Sequence, residues 1–261
     1  MLEKNLGRIR TIEEVSLNAI PCLQQILYDG WILRFAEGYT KRANSITPLY
    51  ASSQDLSQKI HRCEEIYQRF KLKPIFRLTS TSQSEALDRA LSRLGYLKQD
   101  SVSVRVKDIT DNDLSNNVLF PTIAYELTEE WLDHYVHAIA LPTQHWNTLS
   151  TMLEIIPNPT CYAWLKDRQR FCSCGLGVLD NNYLGLFFVV TAEKQRRKGY
   201  ARQLISAMLD WGKHNGATQA YIQVETENQA GINLYNKLGF AEVYQYFYRS
   251  SHEPANIRAI H

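Results

Sequence analysis

The sequence has no long apolar run and almost no excess of charge of either sign. No stretch reaches the roughly 20 apolar residues that a membrane-spanning helix needs, so we expect a soluble protein without a membrane partner. Its 29 lysine and arginine residues face 27 aspartate and glutamate residues, which leaves a formal net charge of +2. Because nucleic acids attract strongly basic surfaces, this balance predicts no nucleic-acid partner.

Cysteine is also scarce, with 5 residues among 261. The odd count argues against a disulfide framework, and the chain begins with a charged segment rather than a secretory signal, so a cytoplasmic location is expected. Cys172 and Cys174 resemble half of a metal site, but no second Cys/His pair follows at ligand spacing. On a strand the two would share one face, so we interpret both as small core side chains and expect no bound metal.

The C-terminal half contains regular strand and helix signals. Runs rich in β-forming residues, separated by polar turns, predict an antiparallel meander. Apolar residues at three- and four-residue steps then predict a helix that ends at Asn215-Gly216. The elements predicted in order are strands over 161–166, 170–179 and 183–191, a helix over 200–214, a strand over 220–224, a helix over 229–238 and a strand over 244–249.

The N-terminal half repeats the end of this pattern. Leu94-Gly95-Tyr96 matches Leu238-Gly239-Phe240 at an offset of 144 residues, position 239 minus position 95. We interpret this as a tandem duplication of one α/β unit, and coincidence between two ordinary βαβ patterns is the alternative. A polar linker over 108–117 then divides domain 1–110 from domain 118–261. The elements predicted here are strands over 43–49, 74–78 and 101–106 and helices over 55–70 and 84–94.

A basic turn joins the strand that ends at Thr191 to the helix that begins at Tyr200. The start of a helix exposes unpaired backbone N–H groups and a positive dipole end, which together suit a pyrophosphate. Gly199 allows close approach of the backbone, and small Ala201 leaves room over the first helical turn. A solvated charged loop is the alternative for this turn taken alone. Positive charge beside it comes from Arg196, Arg197 and Lys198.

In this setting the turn resembles the acetyl-CoA signature of the GCN5-related N-acetyltransferase (GNAT) superfamily. That signature, Arg/Gln-x-x-Gly-x-Gly/Ala after the fourth strand, is matched by Arg196-Arg-Lys-Gly199-Tyr-Ala201. The second signature is matched by Asn228-Gln-Ala-Gly231-Ile-Asn-Leu-Tyr235-Asn-Lys-Leu-Gly239-Phe240. The resemblance spans roughly residues 162–249. It implies an α/β fold of two tandem GNAT-like modules, each a mostly antiparallel mixed sheet flanked by helices.

The resemblance also implies a cofactor-binding role for particular residues. In the superfamily the pantetheine arm of acetyl-CoA pairs like an added strand with the fourth strand, whose backbone N–H groups polarise the thioester carbonyl. Asn228, followed by Gly231, would contact the pantetheine or phosphate arm, and a helix N-cap is a compatible alternative for Asn228. The fourth-strand residues are Phe188, Val189 and Val190. The residues of the pyrophosphate turn are Arg196, Arg197, Lys198, Gly199, Tyr200 and Ala201.

Tyr235 matches the position whose hydroxyl often protonates the departing CoA thiolate. Its high ordinary pKa keeps a tyrosine protonated at neutral pH, ready to donate. Packing of the ring against the sheet is the alternative. No acidic residue lies on the strand predicted over 183–191, so the group that accepts the amine proton is unassigned. The candidates for it are Glu126, His145, Glu225 and Glu227.

The first half lacks this chemistry. At the offset of 144, Gly199 falls on Asp55, which would repel a pyrophosphate, and Tyr235 falls on Leu91, which has no proton to donate. We interpret this half as a degenerate copy that resembles the N-terminal module of bacterial tandem acetyltransferases. Residues 31–36 are predicted to form a strand buried on one face. Four polar residues either grip the acceptor in a cleft between the modules or only join structural contacts. They are Arg34, Arg42, Asn44 and Ser45.

The predicted function is acyl-CoA-dependent N-acyl transfer, in which acetyl-CoA donates an acetyl group to the amine of a small metabolite or amino-acid-like acceptor. Direct attack in a ternary complex is expected rather than a cysteine-bound acyl group, because no cysteine has an evident histidine partner. A non-catalytic acyl-CoA-binding sensor is the alternative. The sequence leaves the acceptor, the length of the acyl chain and the oligomeric state open.

Overall fold

The computed structural model describes residues 2–79, 82–110 and 119–251. Most of the predicted linker, residues 111–117, therefore lies outside the described residues. The strands are β1 Gln24–Tyr28, β2 Trp31–Phe35, β3 Ile46–Pro48, β4 Ile75–Thr79, β5 Leu97–Asp108, β6 Thr122–Ala124, β7 Thr160–Asp167, β8 Arg170–Asp180, β9 Tyr183–Thr191, β10 Gln219–Glu225 and β11 Ala241–Ser250. The α-helices are α1 Leu2–Ala19, α2 Leu56–Arg69, α3 Ser82–Arg93, α4 Glu129–Ala138, α5 Trp146–Glu154, α6 Tyr200–His214 and α7 Gln229–Lys237.

The strands form one continuous sheet in the order β1-β2-β3-β4-β11-β5-β10-β9-β8-β7-β6. Only β3 with β4 and β9 with β10 pair in parallel, and the other neighbouring strands are antiparallel. Helices pack on both faces of the C-terminal half, with α6 and α7 on one side and α1, α4 and α5 on the other. This arrangement confirms the predicted fold class, a mostly antiparallel mixed sheet flanked by helices.

The last strands of the two halves are exchanged. β5 follows α3 in the chain but pairs with β10, where Asp108 lies opposite Gln219. β11 follows α7 but pairs with β4, where Ser250 lies opposite Ile75. The two exchanged strands also pair with each other at the centre of the sheet. Each half therefore completes the sheet of the other, and the division at residues 110 and 118 stays a prediction.

The offset of 144 residues recurs in the observed elements. α2 and α6 begin at Leu56 and Tyr200, β4 and β10 at Ile75 and Gln219, and β5 and β11 at Leu97 and Ala241. The helix ends also correspond, since Gly95 after α3 has φ +83° and Gly239 after α7 has φ +87°. These matched bounds confirm the repeated order of elements, and the duplication remains our interpretation of it.

Some local predictions were wrong. The segment predicted as a strand from residue 43 begins with a 3-10 turn, Lys41–Ala43. The side chain of Asn44 stabilises this region, because its Oδ1 accepts hydrogen bonds from the N–H groups of Ala36 and Gly38 at 2.8 and 3.0 Å. Helices α1, α4 and α5 and strands β1 and β6 were not predicted at all.

Strand β2 is buried on both faces rather than one. All of its residues are buried, and Arg34 is only 2% exposed. Helix α1 covers the Arg34 side, where the guanidinium donates to the carbonyl of Leu17 at 3.1 Å. The apolar side faces α2, since Leu33 and Phe35 share a cluster with Ile60 and Cys63.

Cys172 and Cys174 are both fully buried, as predicted, but they do not share a face. The pairing of β7 with β8 shifts register beside Leu165 and Lys166, which leaves Cys172 as an extra residue. Such a bulge reverses the alternation of side chains, so Cys172 packs on the α6 side and Cys174 on the α1 side. Within the described ranges no group of three or more His, Cys, Asp or Glu residues is arranged to hold a metal ion. Nor is any described helix long and apolar enough to cross a membrane.

Candidate active site

Strands β9 and β10 separate part of the way along their length. They pair from Tyr183 opposite Gln219 to Leu186 opposite Ile222, and no further. Beyond Leu186, β9 remains paired with β8 on its other side. Over its second half, the edge of β9 that faces β10 therefore has backbone N–H and C=O groups that no strand of the described residues pairs with.

A bulge marks the point where the strands separate. On β8, Leu176 lies opposite Phe187 and Cys174 lies opposite Val190, so β9 has one residue more than β8 between these pairs. Phe188 in the bulge has φ +53°, a conformation that a bulky residue adopts only where its surroundings enforce it. Its ring packs edge-on against Trp131 and Tyr135, with centroid distances of 6.3 and 5.1 Å. Two helix α4 aromatics thus hold the bulge in place.

A cleft of about 370 Å³ opens in this gap. Four predicted site residues line it, namely Phe188, Val189, Asn228 and Tyr235. Arg42, which comes from the N-terminal half, lines it as well. The predicted residues Val190, Gly231 and those of the basic turn are not part of the cleft wall. The other lining residues are Leu186, Phe187, Ile222, Gln223 and Val224.

The basic turn runs into the N-terminus of α6 without a side-chain cap. Gly199 is the N-cap residue, with φ +83° and no side-chain hydrogen bond to the first turn. A Cβ at Gly199 would meet nothing within 4 Å, so this glycine is required for its positive φ rather than for space. The first return hydrogen bond runs from the N–H of Gln203 to the carbonyl of Gly199, at 3.1 Å. The N–H groups before Gln203 are those that a helix start leaves without an intrahelical partner.

The cations of this turn are exposed to solvent. Among the described residues, none of Arg196, Arg197 and Lys198 forms an ion pair within 4.0 Å. The Nε of Arg196 lies 3.4 Å from the carbonyl of Thr191, and the Nζ of Lys198 donates to Gln195 at 2.8 Å. Open N–H groups beside unpaired cations fit a phosphate-bearing ligand.

The next two residues of the signature, Tyr200 and Ala201, form the start of α6. Tyr200 is buried, and its hydroxyl donates to the Oδ2 of Asp167 at 2.9 Å. This hydrogen bond fastens the start of α6 to the end of β7 and raises the pKa of Tyr200 to about 12. Ala201 is half-buried in the first turn of the helix.

Asn228 combines its two predicted roles. Its side chain caps α7 by accepting a hydrogen bond from the N–H of Gly231 at 2.9 Å, and the same residue lines the cleft. A Cβ at Gly231 would come within 3.0–3.2 Å of the Asn228 side chain. Gly231 therefore leaves the room that Asn228 needs to turn back over the helix start.

Tyr235 packs in the core and also reaches the cleft. Its ring lies edge-on to Phe240 at a centroid distance of 6.1 Å, and it is 8% exposed. Burial raises the pKa of Tyr235 to about 12, although the nearby Arg42 opposes the shift. The hydroxyl is thus protonated at neutral pH, as a proton donor must be.

The four polar residues predicted in the first half as possible acceptor contacts have different surroundings. Arg34 is occupied by the main-chain carbonyls of Leu17, Ile20 and Arg42, and Asn44 is occupied by the turn before it. Ser45 is fully buried. Only Arg42 reaches the cleft, where its guanidinium lies 6.0 Å from the centroid of the Phe187 ring.

None of the four candidate proton acceptors lines the cleft. Glu126 and Glu227 are exposed, whereas His145 and Glu225 are half-buried. Sequence reasoning missed Gln223, a polar residue on the otherwise apolar strand β10. Its amide accepts a hydrogen bond from Tyr246 at 3.0 Å and donates to Ser16 at 2.9 Å. In the sequence, the amide of Gln223 within the otherwise apolar run Ala220–Val224 could have indicated this residue.

The fold defines the class of protein to which the chain belongs. A GCN5-related N-acetyltransferase from Kribbella flavida superposes with a TM-score of 0.67, covering 95% of this chain and 96% of that one at 12% identity. A tandem GNAT protein from the clavulanic acid biosynthesis pathway superposes with a TM-score of 0.63, covering 93% and 88% at 9% identity. The chain has the GNAT fold. The fold, a family match to acetyltransferases and a named N-acetyltransferase relative together confirm the superfamily expected from its two signatures.

The family is defined by sequence. The family described as "Probable histone acetyltransferase Rv0428c C-terminal" matches residues 7–249, and the chain belongs to it. The uncharacterized N-acetyltransferase YobR of Bacillus subtilis is 28% identical over 246 residues, which cover 92% of this chain and 98% of that protein. The probable histone acetyltransferase Rv0428c of Mycobacterium tuberculosis is 25% identical over 237 residues, covering 89% of this chain and 70% of that protein.

Proposed function

We propose that the chain transfers an acetyl group from acetyl-CoA to the amine of a small metabolite or amino-acid-like acceptor. One observation carries the proposal. The pairing of β9 with β10 ends at the bulge. The same strand then leads, through a turn whose cations pair with no described acid, to the N-terminus of α6, which no side chain caps. A free strand edge suits an amide-bearing arm, and a cationic helix start suits a pyrophosphate.

The proposed cofactor site follows this path. The N–H groups of the turn from Arg196 to Ala201 hold the pyrophosphate, and the cations beside them balance its charge. The main chain of Phe188, Val189 and Val190 pairs with the pantetheine arm. Asn228 and Gly231 form the opposite wall of the arm's channel at the start of α7.

Bound acetyl-CoA supplies an activated thioester. The main-chain N–H groups at the bulge polarise its carbonyl as negative charge builds on the oxygen. The lone pair of the acceptor nitrogen forms the new C–N bond, the C–S bond breaks, and Tyr235 gives its phenolic proton to the departing thiolate sulfur. The amine proton passes to solvent water, and the Tyr235 phenolate recovers a proton from solvent.

Direct attack is favoured over an acyl group carried on cysteine. Cys63, Cys161, Cys172 and Cys174 are buried, and none of them lines the cleft. Burial raises the pKa of the Cys161 thiol to about 12, which suppresses the reactive thiolate. All five cysteines are free thiols, which supports the proposed reducing, cytoplasmic location.

The test measures acetyl-CoA binding by calorimetry and CoA release with a panel of amines that includes amino acids, polyamines and lysine-bearing peptides. Wild-type protein is expected to release CoA with a small amine. Replacing Tyr235 by Phe should lower kcat about 100-fold and leave the Kd for acetyl-CoA unchanged. Because the pKa of Tyr235 is about 12, kcat should show no alkaline fall from this group between about pH 7 and 10.

The matched control is Tyr96→Phe, which removes a part-buried phenol hydroxyl from the other half, where it donates to Glu64. This variant should keep the wild-type kcat. Acetyl-CoA binding without turnover of any amine, together with no effect of Tyr235→Phe, would point to the sensor instead. If only the lysine-bearing peptides were acetylated, the acceptor would be a lysine in a protein tail rather than a small amine.

A further inference from the structure

Arg42 is the one charged side chain among the described residues that line the cleft, and no described acid balances it. It lies in the 3-10 turn Lys41–Ala43 of the N-terminal half and is half-buried. Within the described residues, no carboxylate oxygen lies within 4.0 Å of its guanidinium. Its neighbours are instead the phenol groups of Tyr246, Tyr248 and Tyr135.

Each fully buried cation among the described residues has partners within the protein. Arg105 donates to the carbonyl of Phe240 at 3.2 Å. Arg77 pairs with Glu13, with a distance of 2.9 Å between Nη2 and Oε1. Lys59 pairs with Asp29 at 3.0 Å, and Arg34 donates to three main-chain carbonyls. A charge removed from water is costly unless it is paired. Arg42 has no acidic partner among the described residues, and it lines a cleft through which an anion would reach it.

The surroundings of Arg42 keep it charged. Burial works against the cation, but the phenols of Tyr246 and Tyr248 outweigh it, and the pKa of Arg42 lies above its usual value. Glu13 is neutralised by Arg77, whose guanidinium lies 3.8 Å from the centroid of the Tyr246 ring, and it accepts a further hydrogen bond from Tyr244. The cleft wall therefore presents one net positive charge.

The position of Arg42 relates this charge to the chemistry. Its guanidinium lies over the Phe187 ring, and Phe187 precedes the bulge residue Phe188 whose backbone would hold the thioester. An anion bound by Arg42 would thus lie in the same cleft as the carbon that the amine attacks. A single arginine matches one carboxylate, which its planar fork binds with two parallel hydrogen bonds. A phosphate, with a charge of about −1.5 to −2, calls for more than one cation.

We propose that the acceptor carries a carboxylate close to its amine, as an amino acid does, and that Arg42 from the N-terminal half binds this carboxylate. The inference rests on the proposed acetyl transfer and names the substrate class for the same site. It also gives the half without a cofactor turn a defined task, the selection of the acceptor.

The experiment compares each proteinogenic L-amino acid with its own carboxamide, which keeps the amine and loses the negative charge. Wild-type protein should acetylate at least one amino acid with a kcat/KM about 100-fold above that of its carboxamide. Arg42→Gln should lose about 100-fold in kcat/KM for the acid and change the value for the carboxamide by less than about threefold. Arg42→Lys should recover part of the preference, because it keeps the charge and loses the fork.

Lys98→Gln is the matched control, since Lys98 also lies over a ring, 4.1 Å from the centroid of Phe247, but away from the cleft. It should leave the preference intact, and unfolding temperatures check that every variant is folded. Equal acetylation of acids and carboxamides by wild-type protein overturns the role of Arg42 and leaves acetyl transfer standing.

If acetyl-CoA binds but no amine is acetylated, the proposed function fails and the role of Arg42 is judged on binding. The amino acids should then raise the unfolding temperature of the wild-type CoA complex more than their carboxamides do. The same complex of Arg42→Gln should show no such difference. An equal shift for acid and carboxamide, or an unchanged difference in Arg42→Gln, overturns the inference.

Discussion

Two turns that correspond at the offset of 144 residues start α2 and α6, and they deal with the same physical problem in opposite ways. At α6 the turn ends in Gly199, has no side-chain cap and carries three cations that pair with no acid among the described residues. At α2 the residues Ser52–Gln54 surround a carboxylate of the chain itself. The carboxylate of Asp29 accepts hydrogen bonds from the N–H groups of Ser53 and Gln54, each at 3.0 Å, and from the Ser52 hydroxyl at 2.7 Å.

The comparison shows that the same kind of turn is suited to bind a ligand in the second half and stabilises the fold in the first half. Backbone N–H groups at the start of a helix need an acceptor. In the first half Asp29 and Asp55 supply it, and fully buried Lys59 balances the charge of Asp29. In the second half the acceptor has to come from outside. We therefore propose that the chain holds a single acetyl-CoA site, at Arg196–Ala201.

The largest effect is expected when the second turn is given the charge of the first. Gly199→Asp places a carboxylate where the pyrophosphate would lie. Two unit charges about 4 Å apart repel by about 4 kcal/mol at an effective dielectric constant of about 20, and salt screening on this exposed turn reduces the effect. We expect the Kd for acetyl-CoA to rise about 100-fold, as measured by calorimetry.

Two controls separate charge from backbone strain. Gly199→Asn has nearly the same shape without the charge, so it should weaken binding far less. Gly95→Asp adds the same charge at a glycine with the same φ of +83° and equally open surroundings, but in the other half. A loss of affinity in Gly95→Asp equal to that in Gly199→Asp would exclude a local role for the basic turn.

A smaller effect, on stability rather than on binding, is expected when the internal acceptor of the first turn is removed. Asp29→Asn leaves Lys59 buried without a counter-charge, so the unfolding temperature should fall. The hydrogen bonds from Ser52 and Gln54, together with Lys59, hold the pKa of Asp29 below its usual value. Asp29 therefore stabilises the fold above its unfolded pKa of about 3.9, and this stabilisation is lost as the pH falls below it.

The difference in unfolding temperature between wild type and Asp29→Asn should accordingly shrink as the pH is lowered from about 6 to 3. Acetyl-CoA should still bind at one site per chain with unchanged Kd. Binding of a second acetyl-CoA by Asp29→Asn would mean that the first half keeps a working cofactor turn beneath the internal carboxylate.

The smallest effect is expected from the two helix caps. Asn228→Ala and Asp55→Ala each remove an N-cap hydrogen bond, which costs about 1 kcal/mol of stability. Both variants should lose a similar amount in unfolding free energy, measured with denaturant. Only Asn228→Ala should also weaken the binding of acetyl-CoA, with a few-fold rise in Kd, because Asn228 lines the cleft. An equal change of Kd in both variants would assign Asn228 to the cap alone.

Much of the second half was predictable because its signals are local. The helix at Tyr200–His214 and the strand at Tyr183–Thr191 match their predicted bounds, since apolar periodicity and flanking glycines act within a few residues. The signature turn and Asn228 follow from the same local spacing. Helix α1 was not predicted, although Ile9, Ile12 and Val15 recur at three-residue steps and are buried. Tertiary contacts stabilise it. Its Ser16 and Glu13 bond to Gln223 and Arg77, residues far away in sequence.

The sequence alone determined the superfamily, the order of the elements that recur at the offset of 144 residues and the residues of the basic turn, because all of these depend on short-range patterns. Only the tertiary structure decided that β5 and β11 are exchanged, so that residues 1–110 include a central strand of the sheet. It also decided that Arg42, and not Arg34 or Asn44, lines the cleft. Both outcomes depend on which distant segments pair and on which polar groups find partners during folding. Local sequence patterns do not predict these long-range contacts.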